Sequence, residues 1–335
     1  MSDVGPTFLC LRENLMIRRT LAHGSGSLTG AFAATCVALL ITAIAGAQAG
    51  PTRPPITGVA SFAVNVADMA AARTFFSGVL GLDEAFTIKN PTGGTDFSTF
   101  KINDRQYVYV APDLKDPNAS RLLFVGFETT DVRELRTYLA SKGVAVPAAV
   151  APDGEGNLSL FVKDPEGNSV QFIQYQTSSV HGRSAGKFIS RRALSDHALH
   201  VGYRIADPEK LDAFYKDILG YRLIWKGGGR DDRVEWISMA VPDGNQWIEY
   251  MVNAGTPSVR QLGVLNHLAL GTLDIDAAHK QIVERGYTDK AVPSIGRDGR
   301  WLMHLYDKDL TRTEFMIRKP VKKPCCFPLT DVVDK

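Results

Sequence analysis

Two histidines and two glutamates stand at matching positions in the second half of the chain. His200 and His267 lie in short alternating apolar segments, and Glu249 and Glu314 follow them by 49 and 47 residues. Neutral imidazoles and carboxylates are ligands of Zn, Ni, Fe or Mn, whereas sites for soft metals use thiolates. Taken one at a time, a hydrogen-bonded core histidine or a surface glutamate is the commoner outcome. Because four such residues fall in register, we predict that they bind one divalent metal ion.

Strand periodicity indicates how these side chains would be positioned. Successive side chains of a strand point to opposite faces, so His200, Gly202 and Arg204 share one face while the intervening apolar residues form the other. The residues around His267 repeat this alternation. We therefore expect the apolar faces to pack against helices and the imidazoles to face the hollow of a sheet.

Further residues near these strands are candidates for catalysis and for substrate binding. Either Glu249 or Glu314 could act as the base of a reaction. His304 precedes Glu314 by ten residues and could act as an acid or base, with a hydrogen-bonded core histidine as the alternative. Arginines on the same face could bind an anionic substrate, although an ion pair within the protein is the commoner role. The predicted substrate contacts are Arg204, Trp247, Tyr306 and Arg312.

The elements that carry these residues recur four times along the chain. Each unit begins with an alternating apolar strand, at residues 58–66, 121–129, 197–205 and 264–272. An amphipathic helix follows each strand and begins near an aspartate suited to N-capping, namely Asp68, Asp131, Asp207 or Asp274. Two or three further strands follow each helix. The predicted unit is therefore βαβββ, and the predicted fold class is α+β.

The four units pair into two predicted domains. Residues 56–176 form the first and residues 197–318 the second, with a Ser-, Gly- and Arg-rich linker at 177–196 and a tail at 319–335. In the first domain, the positions that correspond to the four metal-ligand candidates hold Ser61, Tyr109, Phe124 and Gln171. Because none of these is a good metal ligand, we predict that the first domain lacks a metal site.

Composition and the N-terminal segment limit the partners and the compartment. The 335 residues are 44% hydrophobic and 22% charged with a net charge of +2, which suits a globular chain and argues against nucleic-acid binding. Residues 1–49 are typical of a signal peptide, because arginines precede a short apolar stretch and small residues end at Ala49, the predicted cleavage site. The expected compartment is the periplasm or the medium, without stable membrane insertion after cleavage. An uncleaved anchor, Met16 as the first residue and a homodimer are open alternatives.

The four cysteines lie outside the two predicted domains. Cys10 and Cys36 belong to the leader, and Cys325 and Cys326 are adjacent in the tail. No cysteine is therefore expected to act as a nucleophile, metal ligand or disulfide partner within the domains. The adjacent pair is expected either to be inert or to cross-link chains in an oxidising compartment.

Two sequence phrases recur in the same way as in a known superfamily. The helix-end phrase FFSGVLGL at 75–82 returns as FYKDILGY at 214–221, and DPEGN at 164–168 precedes a final strand. With the βαβββ repeat, these phrases resemble the vicinal oxygen chelate superfamily, the group of glyoxalases, bleomycin-resistance proteins and extradiol dioxygenases. The resemblance covers nearly the whole mature chain and implies paired modules curled around a metal-centred cavity. It also implies that the candidate positions are metal ligands, and a ligand-free first domain resembles the extradiol dioxygenases.

Two reactions would use the four candidates differently. With all four bound to the metal, the site resembles glyoxalase I, in which the metal stabilises an enediolate while a glutamate carries the proton. With His200, His267 and Glu314 alone, it is a 2-His-1-carboxylate triad that accepts a catecholate and O₂ on Fe(II). The resembled dioxygenases carry another histidine on the closing strand of the third unit, which is absent here, and a tyrosine where this chain has His304.

The presence of Glu249 makes a glyoxalase-like lyase or isomerase acting on a small carbonyl compound our main prediction from the sequence. An Fe(II) extradiol dioxygenase is one alternative. A non-enzymatic small-ligand binding protein of the bleomycin-resistance type is the other. Metal content and O₂ consumption would distinguish the three.

Overall fold

Two curled β-sheets, one from each half of the chain, carry the candidate residues. The structure is a computed structural model and describes residues 50–330. The predicted signal peptide at 1–49 and residues 331–335 lie outside the described residues. Both sheets belong to one compact unit. Within the described part of the chain, no helix has the length and apolarity needed to cross a bilayer.

The first sheet has two antiparallel strands at its centre and a parallel neighbour on each side. Its seven strands are β1 (Ile56–Asn65), β2 (Asp83–Ile88), β3 (Phe97–Asn103), β4 (Gln106–Ala111), β5 (Leu122–Thr129), β6 (Leu158–Lys163) and β7 (Ser169–Gln174). Their spatial order is β2-β3-β4-β1-β5-β7-β6. β1 and β5 are antiparallel, β4 is parallel to β1, and β7 is parallel to β5.

The second sheet repeats this arrangement. Its strands are β8 (Ala198–Ile205), β9 (Arg222–Gly227), β10 (Trp236–Ala240), β11 (Trp247–Val252), β12 (His267–Gly271), β13 (Ser294–Ile295), β14 (Trp301–Tyr306) and β15 (Arg312–Met316). Their spatial order is β13-β14-β15-β12-β8-β11-β10-β9. β8 and β12 are antiparallel at the centre, with β11 parallel to β8 and β15 parallel to β12. The predicted α+β fold with two modules of repeated topology is confirmed.

Aspartates begin the helix of each unit, as predicted. Asp68, Asp131, Asp207 and Asp274 have extended backbone dihedrals and accept hydrogen bonds from N–H groups of the first turn. The six α-helices of the described chain are α1 (Met69–Arg73), α2 (Val132–Ser141), α3 (Val180–Arg183), α4 (Pro208–Asp212), α5 (Val259–Val264) and α6 (Ile275–Glu284).

The repeated phrases at 75–82 and 214–221 mark the places where two of these helices end. α1 continues as a π-helical turn over Thr74–Val79, and α4 does so over Ala213–Ile218. The chain then turns at Gly81 and Gly220, whose φ values of +78° and +81° are unfavourable for residues with a side chain. Each phrase therefore ends a helix and directs the chain into the next strand.

The faces of the sheets that carry helices meet in one apolar core. This core contains buried residues of both halves, including Phe127 and Tyr221, whose rings are 5.7 Å apart. Separate small clusters lie in the two hollows, with Tyr107 and Phe124 in the first and Trp247 in the second. Since the shared core holds the halves together, each hollow can hold polar residues without weakening that contact.

Turns of each half also bind the backbone just before the first helix of the other half. Glu166, between β6 and β7, accepts hydrogen bonds of 2.6 to 2.9 Å from the backbone N–H groups of Ala206 and Asp207, before α4. Asp309, between β14 and β15, accepts one of 2.9 Å from the backbone N–H of Ala67, before α1. These reciprocal contacts pair backbone N–H groups just before both helices and orient the halves.

The tail crosses the opening of the second hollow. The Cys325 N–H donates to the Arg297 carbonyl, beyond β13, at 2.9 Å, and the Cys325 carbonyl accepts from Trp225 Nε1 in β9 at 3.3 Å. Because β9 and β13 are the outermost strands of the sheet, the tail links its two edges. Cys325 and Cys326 form a disulfide with each other.

Candidate metal centre

Four adjacent strands bring the candidate ligands to the floor of the second hollow. The strand order β15-β12-β8-β11 places Glu314, His267, His200 and Glu249 side by side. Gly202 pairs with both His267 and Glu249, while Ala269 pairs in the same way with His200 and Glu314. The register is therefore the same for the two halves of the site, and residues distant in sequence converge on one point.

A glycine and a tryptophan hold the imidazoles in place. A Cβ atom at Gly202 would overlap the His267 ring, so a glycine is needed beneath that imidazole. On the other side, the Trp247 ring stacks on His200 with centroids 4.8 Å apart. Both histidines are buried, at 1% and 0% exposure, and their positions are fixed by packing.

The four side chains lie close together, and donor atoms of three of them, His200, Glu249 and His267, are near enough to one another for a single ion. His200 Nε2 lies 2.9 Å from His267 Nε2. Glu249 Oε2 lies 3.3 Å from His267 Nε2 and 3.9 Å from His200 Nε2. Glu314 reaches the same nitrogens, with Oε2 3.5 Å from His200 and Oε1 3.9 Å from His267. Ligand atoms bound at about 2.1 Å are about 3.0 to 3.4 Å apart in octahedral or tetrahedral geometry, so this donor set suits one divalent ion.

The two carboxylates of the centre have different neighbours. One oxygen of Glu249 and one nitrogen of each histidine lie within 4.8 Å of one another. Glu314 has further partners, because its Oε1 lies 3.0 Å from His304 Nε2 and 3.3 Å from Arg312 Nε. Its Oε2 remains directed at His200. Both glutamates therefore reach the imidazoles, and Glu314 is in addition held by basic side chains.

Burial and charge set the protonation states at the centre. Burial lowers the pKa of His200 to about 4, and burial with the nearby Arg312 lowers the pKa of His267 to about 3. Both rings are therefore neutral near pH 7, the form that binds metals. Burial raises the pKa of Glu249. Burial opposes ionisation of Glu314 too, but Arg312 and the histidines outweigh it and hold its pKa well below the usual value.

A cavity of about 250 Å³ leads from the mouth of the hollow to this centre. Its walls are mainly apolar, and its inner end carries the polar groups. A small substrate could therefore be held by apolar contact while its polar atoms face Glu249 and Glu314. The walls include Trp225, Trp236, Met251, Leu302 and Met316, and the inner end carries Glu249, His304, Arg312 and Glu314.

The sequence predicts that Arg204 and Tyr306 contact the substrate, but neither residue lines this cavity. Arg204 donates to the Gly255 carbonyl at 2.8 Å. Tyr306 lies beneath the Arg260 guanidinium at 5.2 Å and lines a surface depression beside α1. Both residues stand near the end of their strands, where the curled sheet carries side chains away from the hollow. Strand parity identifies a face, but it does not give the distance along the strand.

Trp247, His304 and Arg312 lie at the centre, in different roles. Trp247 is 1% exposed and packs behind His200, so it supports a ligand candidate and does not form the cavity wall. Arg312 Nη2 lies 2.7 Å from His267 Nδ1. His304 lines the cavity, and its ring is within hydrogen-bond distance of Glu314.

The first sheet repeats the four positions with other side chains. Its registers place Ser61, Tyr109, Phe124 and Gln171 where the second sheet has His200, Glu249, His267 and Glu314. In the same hollow lies His181, whose Nε2 is 2.9 Å from the Tyr109 hydroxyl and whose Nδ1 is 2.9 Å from the Asn157 amide nitrogen. Sequence reasoning missed His181 because it belongs to the linker, which α3 folds back over the hollow.

Comparisons with known proteins extend these observations. Catechol 2,3-dioxygenase superposes with a TM-score of 0.57 at 17% identity, covering 84% of this chain and 97% of that chain. The 2,3-dioxygenase LapB from Pseudomonas sp. KL28 gives 0.60 at 15% identity, with coverages of 82% and 97%. Homoprotocatechuate 2,3-dioxygenase from Brevibacterium fuscum, with 3,4-dihydroxyphenylacetate, gives 0.56 at 17% identity, with coverages of 80% and 82%. At these identities the likeness shows a shared fold.

The sequence itself identifies the family. No curated protein sequence matches this chain significantly. A family model described as the Glyoxalase/Bleomycin resistance protein/Dioxygenase superfamily matches residues 58–172 and 197–315, more than two thirds of the chain. The two matched segments coincide with the two sheets. The chain therefore belongs to the Glyoxalase/Bleomycin resistance protein/Dioxygenase superfamily.

Proposed function

We propose that this chain is a metal-dependent enzyme, an extradiol-type dioxygenase that uses Fe(II) and O₂ to open the ring of a catechol-like compound. The observation that carries this proposal is a difference between the two modules at their four equivalent register positions, which hold histidines and glutamates in the second module but not in the first. A tandem chain has one His and Glu cluster in its second sheet, and the matching positions of the first sheet are Ser61, Tyr109, Phe124 and Gln171. Solved dioxygenases share this tandem fold over 80 to 84% of the chain.

In this proposal His200, His267 and Glu314 hold the ion as a 2-His-1-carboxylate triad. The neutral imidazoles supply two nitrogen ligands, and the Glu314 carboxylate supplies the negative charge that a divalent ion requires. Bound iron supplies the redox chemistry that lets an aromatic ring react with O₂. Arg312 keeps Glu314 ionised, so it positions that ligand.

Glu249 is the proposed proton acceptor for a substrate hydroxyl. Its carboxylate lies beside both imidazoles and lines the cavity, and burial raises its pKa, which makes it a stronger base than an exposed glutamate. His304 lies on the cavity wall and can hold or return a proton through its contact with Glu314. The apolar wall residues Leu302 and Met316 exclude water from the reacting ring.

One observation favours a second candidate function. The compact three-residue cluster contains Glu249 and both histidines, so this glutamate is well placed to be a fourth metal ligand. A centre with two histidines and two glutamates suits the glyoxalase-type isomerisation of a small carbonyl compound through an enediolate. That reaction would need Zn, Ni or Mn and no O₂.

Reconstitution of metal-free protein under anaerobic conditions would test the proposal. Samples loaded with Fe(II), Zn(II), Ni(II) or Mn(II) would be examined for metal content, and then for O₂ uptake with catechol and 3,4-dihydroxyphenylacetate. We expect uptake and a ring-opened product with Fe(II) only. Isomerisation of a 2-oxoaldehyde thiol adduct by the Zn or Ni form, without O₂ uptake, would overturn the dioxygenase in favour of the isomerase. Failure to bind any of the metals would favour a non-enzymatic binding protein.

We further propose that the protein acts in the periplasm or outside the cell, on the basis of the signal-peptide pattern in residues 1–49. Cell fractionation and N-terminal sequencing would test this. The expected mature protein begins at Gly50. Recovery of the full-length chain in the cytoplasmic fraction would contradict it.

A further inference from the structure

The hollow of the first sheet contains a cavity that the proposed reaction does not use. Its volume is about 340 Å³, within the range of small-molecule sites. Its inner end is formed by Tyr109, Phe124, Gln171 and His181. The first three stand at the register positions that correspond to Glu249, His267 and Glu314. The two sheets therefore place a cavity at equivalent points, with charged groups in one and neutral groups in the other.

We propose that this upstream cavity is a second binding site, which takes a neutral single-ring phenol. The inference goes beyond the proposed reaction and does not depend on it. Three observations carry it: buried oxygen atoms without partners beneath the inner end, flat apolar walls, and a mouth whose charges disfavour anions.

Two buried oxygen atoms beneath the inner end lack hydrogen-bond partners among the described residues. They are Ser61 Oγ and Gln171 Oε1, in side chains that are 2% and 5% exposed. Both lie over Gly126, where the absence of a side chain leaves room for them. A buried acceptor without a partner costs about 1 to 3 kcal/mol, and a hydroxyl donor of a ligand would recover it. Of these two residues Gln171 lines the cavity, so its amide is the polar group that such a ligand would meet.

Aromatic rings form the walls around this polar end. Phe124 and Phe161 pack edge to face with centroids 5.1 Å apart, and the Tyr109 ring lies 6.2 Å from that of Phe124. A planar ring fits such walls better than an aliphatic chain does, because it can make stacked and edge contacts. The Tyr109 hydroxyl is already bonded to His181, so this pair shapes the wall and leaves Gln171 as the acceptor for the ligand.

The charges at the cavity exclude an anionic ligand. Burial lowers the pKa of His181 to about 3, so the imidazole carries no positive charge at neutral pH. Asp153 and Glu155 line the cavity and would repel a carboxylate or phosphate. The lining Lys89 is paired with Asp96 at 2.7 Å. A neutral hydroxyl compound is therefore favoured over an acidic one.

Calorimetric titration of metal-free protein with phenol and with toluene would test the proposal. The protein would carry Ser294→Trp, which fills the cavity of the second sheet and leaves that of the first unchanged. We expect one bound phenol per chain, with an affinity at least about tenfold above that of toluene, the fold-change that one hydrogen bond to a buried acceptor gives. Stronger binding of the more apolar toluene, or binding of neither compound, would overturn the proposal.

Two further variants locate the site. In the same background, Ser159→Trp fills the upstream cavity and should abolish phenol binding. Gln171→Leu keeps the size of the side chain and removes the acceptor, so phenol should bind about tenfold more weakly while toluene is unaffected. Unchanged phenol affinity in either variant would contradict the assignment. Because no metal and no turnover are involved, the outcome is independent of the dioxygenase assay.

Discussion

At the residue scale, Glu249 and Glu314 occupy equivalent register positions but have different surroundings. Glu314 is close to Arg312 and His304, and these basic neighbours keep it ionised. Glu249 has a raised pKa because of its burial. Pairs of carboxyl groups whose environments separate their pKa values commonly divide the roles of charge and proton transfer between them. The same separation is expected here, with Glu314 as ligand and Glu249 as base.

The substitutions Glu249→Gln and Glu314→Gln test this division, because each keeps the side-chain size and removes the charge. We expect Glu314→Gln to weaken Fe(II) binding at least tenfold. Glu249→Gln should change metal binding less than about threefold and lower kcat by about 100-fold or more, the usual effect of losing a general base. Elemental analysis and competition with a chromophoric chelator measure the first effect, and O₂ uptake the second. Equal losses of metal would indicate four protein ligands.

The glycine beneath His267 gives a second prediction. Gly202→Ala should displace the imidazole and reduce metal binding at least tenfold, because the new Cβ would overlap the ring. Gly78→Ala is the control, since the nearest atom to its added Cβ is 3.9 Å away. Metal content and circular dichroism measure the result. A Gly202→Ala protein that retains full metal content would show that the ring has room to move.

Sequence reasoning recovered the ligand candidates because chemistry and strand parity acted together. The register places His200, His267, Glu249 and Glu314 in contact, as the spacing indicated. The sequence did not reveal the contribution of His181, because an isolated histidine in a linker has neither periodicity nor a repeated counterpart. A tertiary contact with Tyr109 determines its position, and no local pattern encodes that contact.

At the element scale, the helix starts were predictable and the contacts between modules were not. N-cap aspartates act within two or three residues of their own position, so the four were visible in the sequence. The DPEGN turn was noted only as a family phrase. Its Glu166 binds the backbone of Asp207, 41 residues away, a partner that becomes apparent only once the sheets pack together.

Removal of this contact should weaken the fold. We expect Glu166→Ala to lower the free energy of unfolding by about 1 to 3 kcal/mol, the usual cost of leaving hydrogen-bond donors without their acceptor. Asp309→Ala should have a similar effect at the other helix start, and the two should be additive because they lie at separate sites. Urea unfolding measures the change. The control is Glu134→Ala, at the exposed first turn of α2, which should change the free energy of unfolding little. If Glu166→Ala changed it no more than this control does, the proposed role of Glu166 would be contradicted.

At the scale of the whole molecule, two curled sheets share one core yet keep separate hollows. The core joins both halves through contacts such as Phe127 with Tyr221. Buried histidines occupy both hollows, namely His181 in the first and His200 with His267 in the second. Their lowered pKa values connect the stability of the whole fold to pH.

The free energy of unfolding should therefore decrease in mild acid. In the unfolded chain the pKa of His181 returns to about 6.5, so between that pH and about 3 the unfolded state binds a proton that the folded state does not. The contribution of this neutral histidine is complete above pH 6.5 and is lost as the pH falls. We expect His181→Gln to reduce the slope of unfolding free energy against pH by about 1 kcal/mol per pH unit between pH 6 and 5.

Urea titrations of the metal-free protein at the two pH values measure this slope. Phe86→Leu is the matched control, because Phe86 packs edge to face on His181 with centroids 5.1 Å apart and carries no titratable group. That substitution should lower the stability equally at both pH values. Parallel pH profiles for the parent and His181→Gln would contradict the prediction.

The disulfide in the tail provides a labelling site at the mouth of the second hollow. Cys325 and Cys326 are the only cysteines among residues 50–330, and the first of them contacts Trp225 and Arg297 at the mouth. In the proposed mature protein, which begins at Gly50 and therefore lacks Cys10 and Cys36, a fluorophore attached to this pair after mild reduction would occupy a unique place, without any engineering of other thiols. Its brightness would then report, in real time and on single molecules, when a compound enters or leaves.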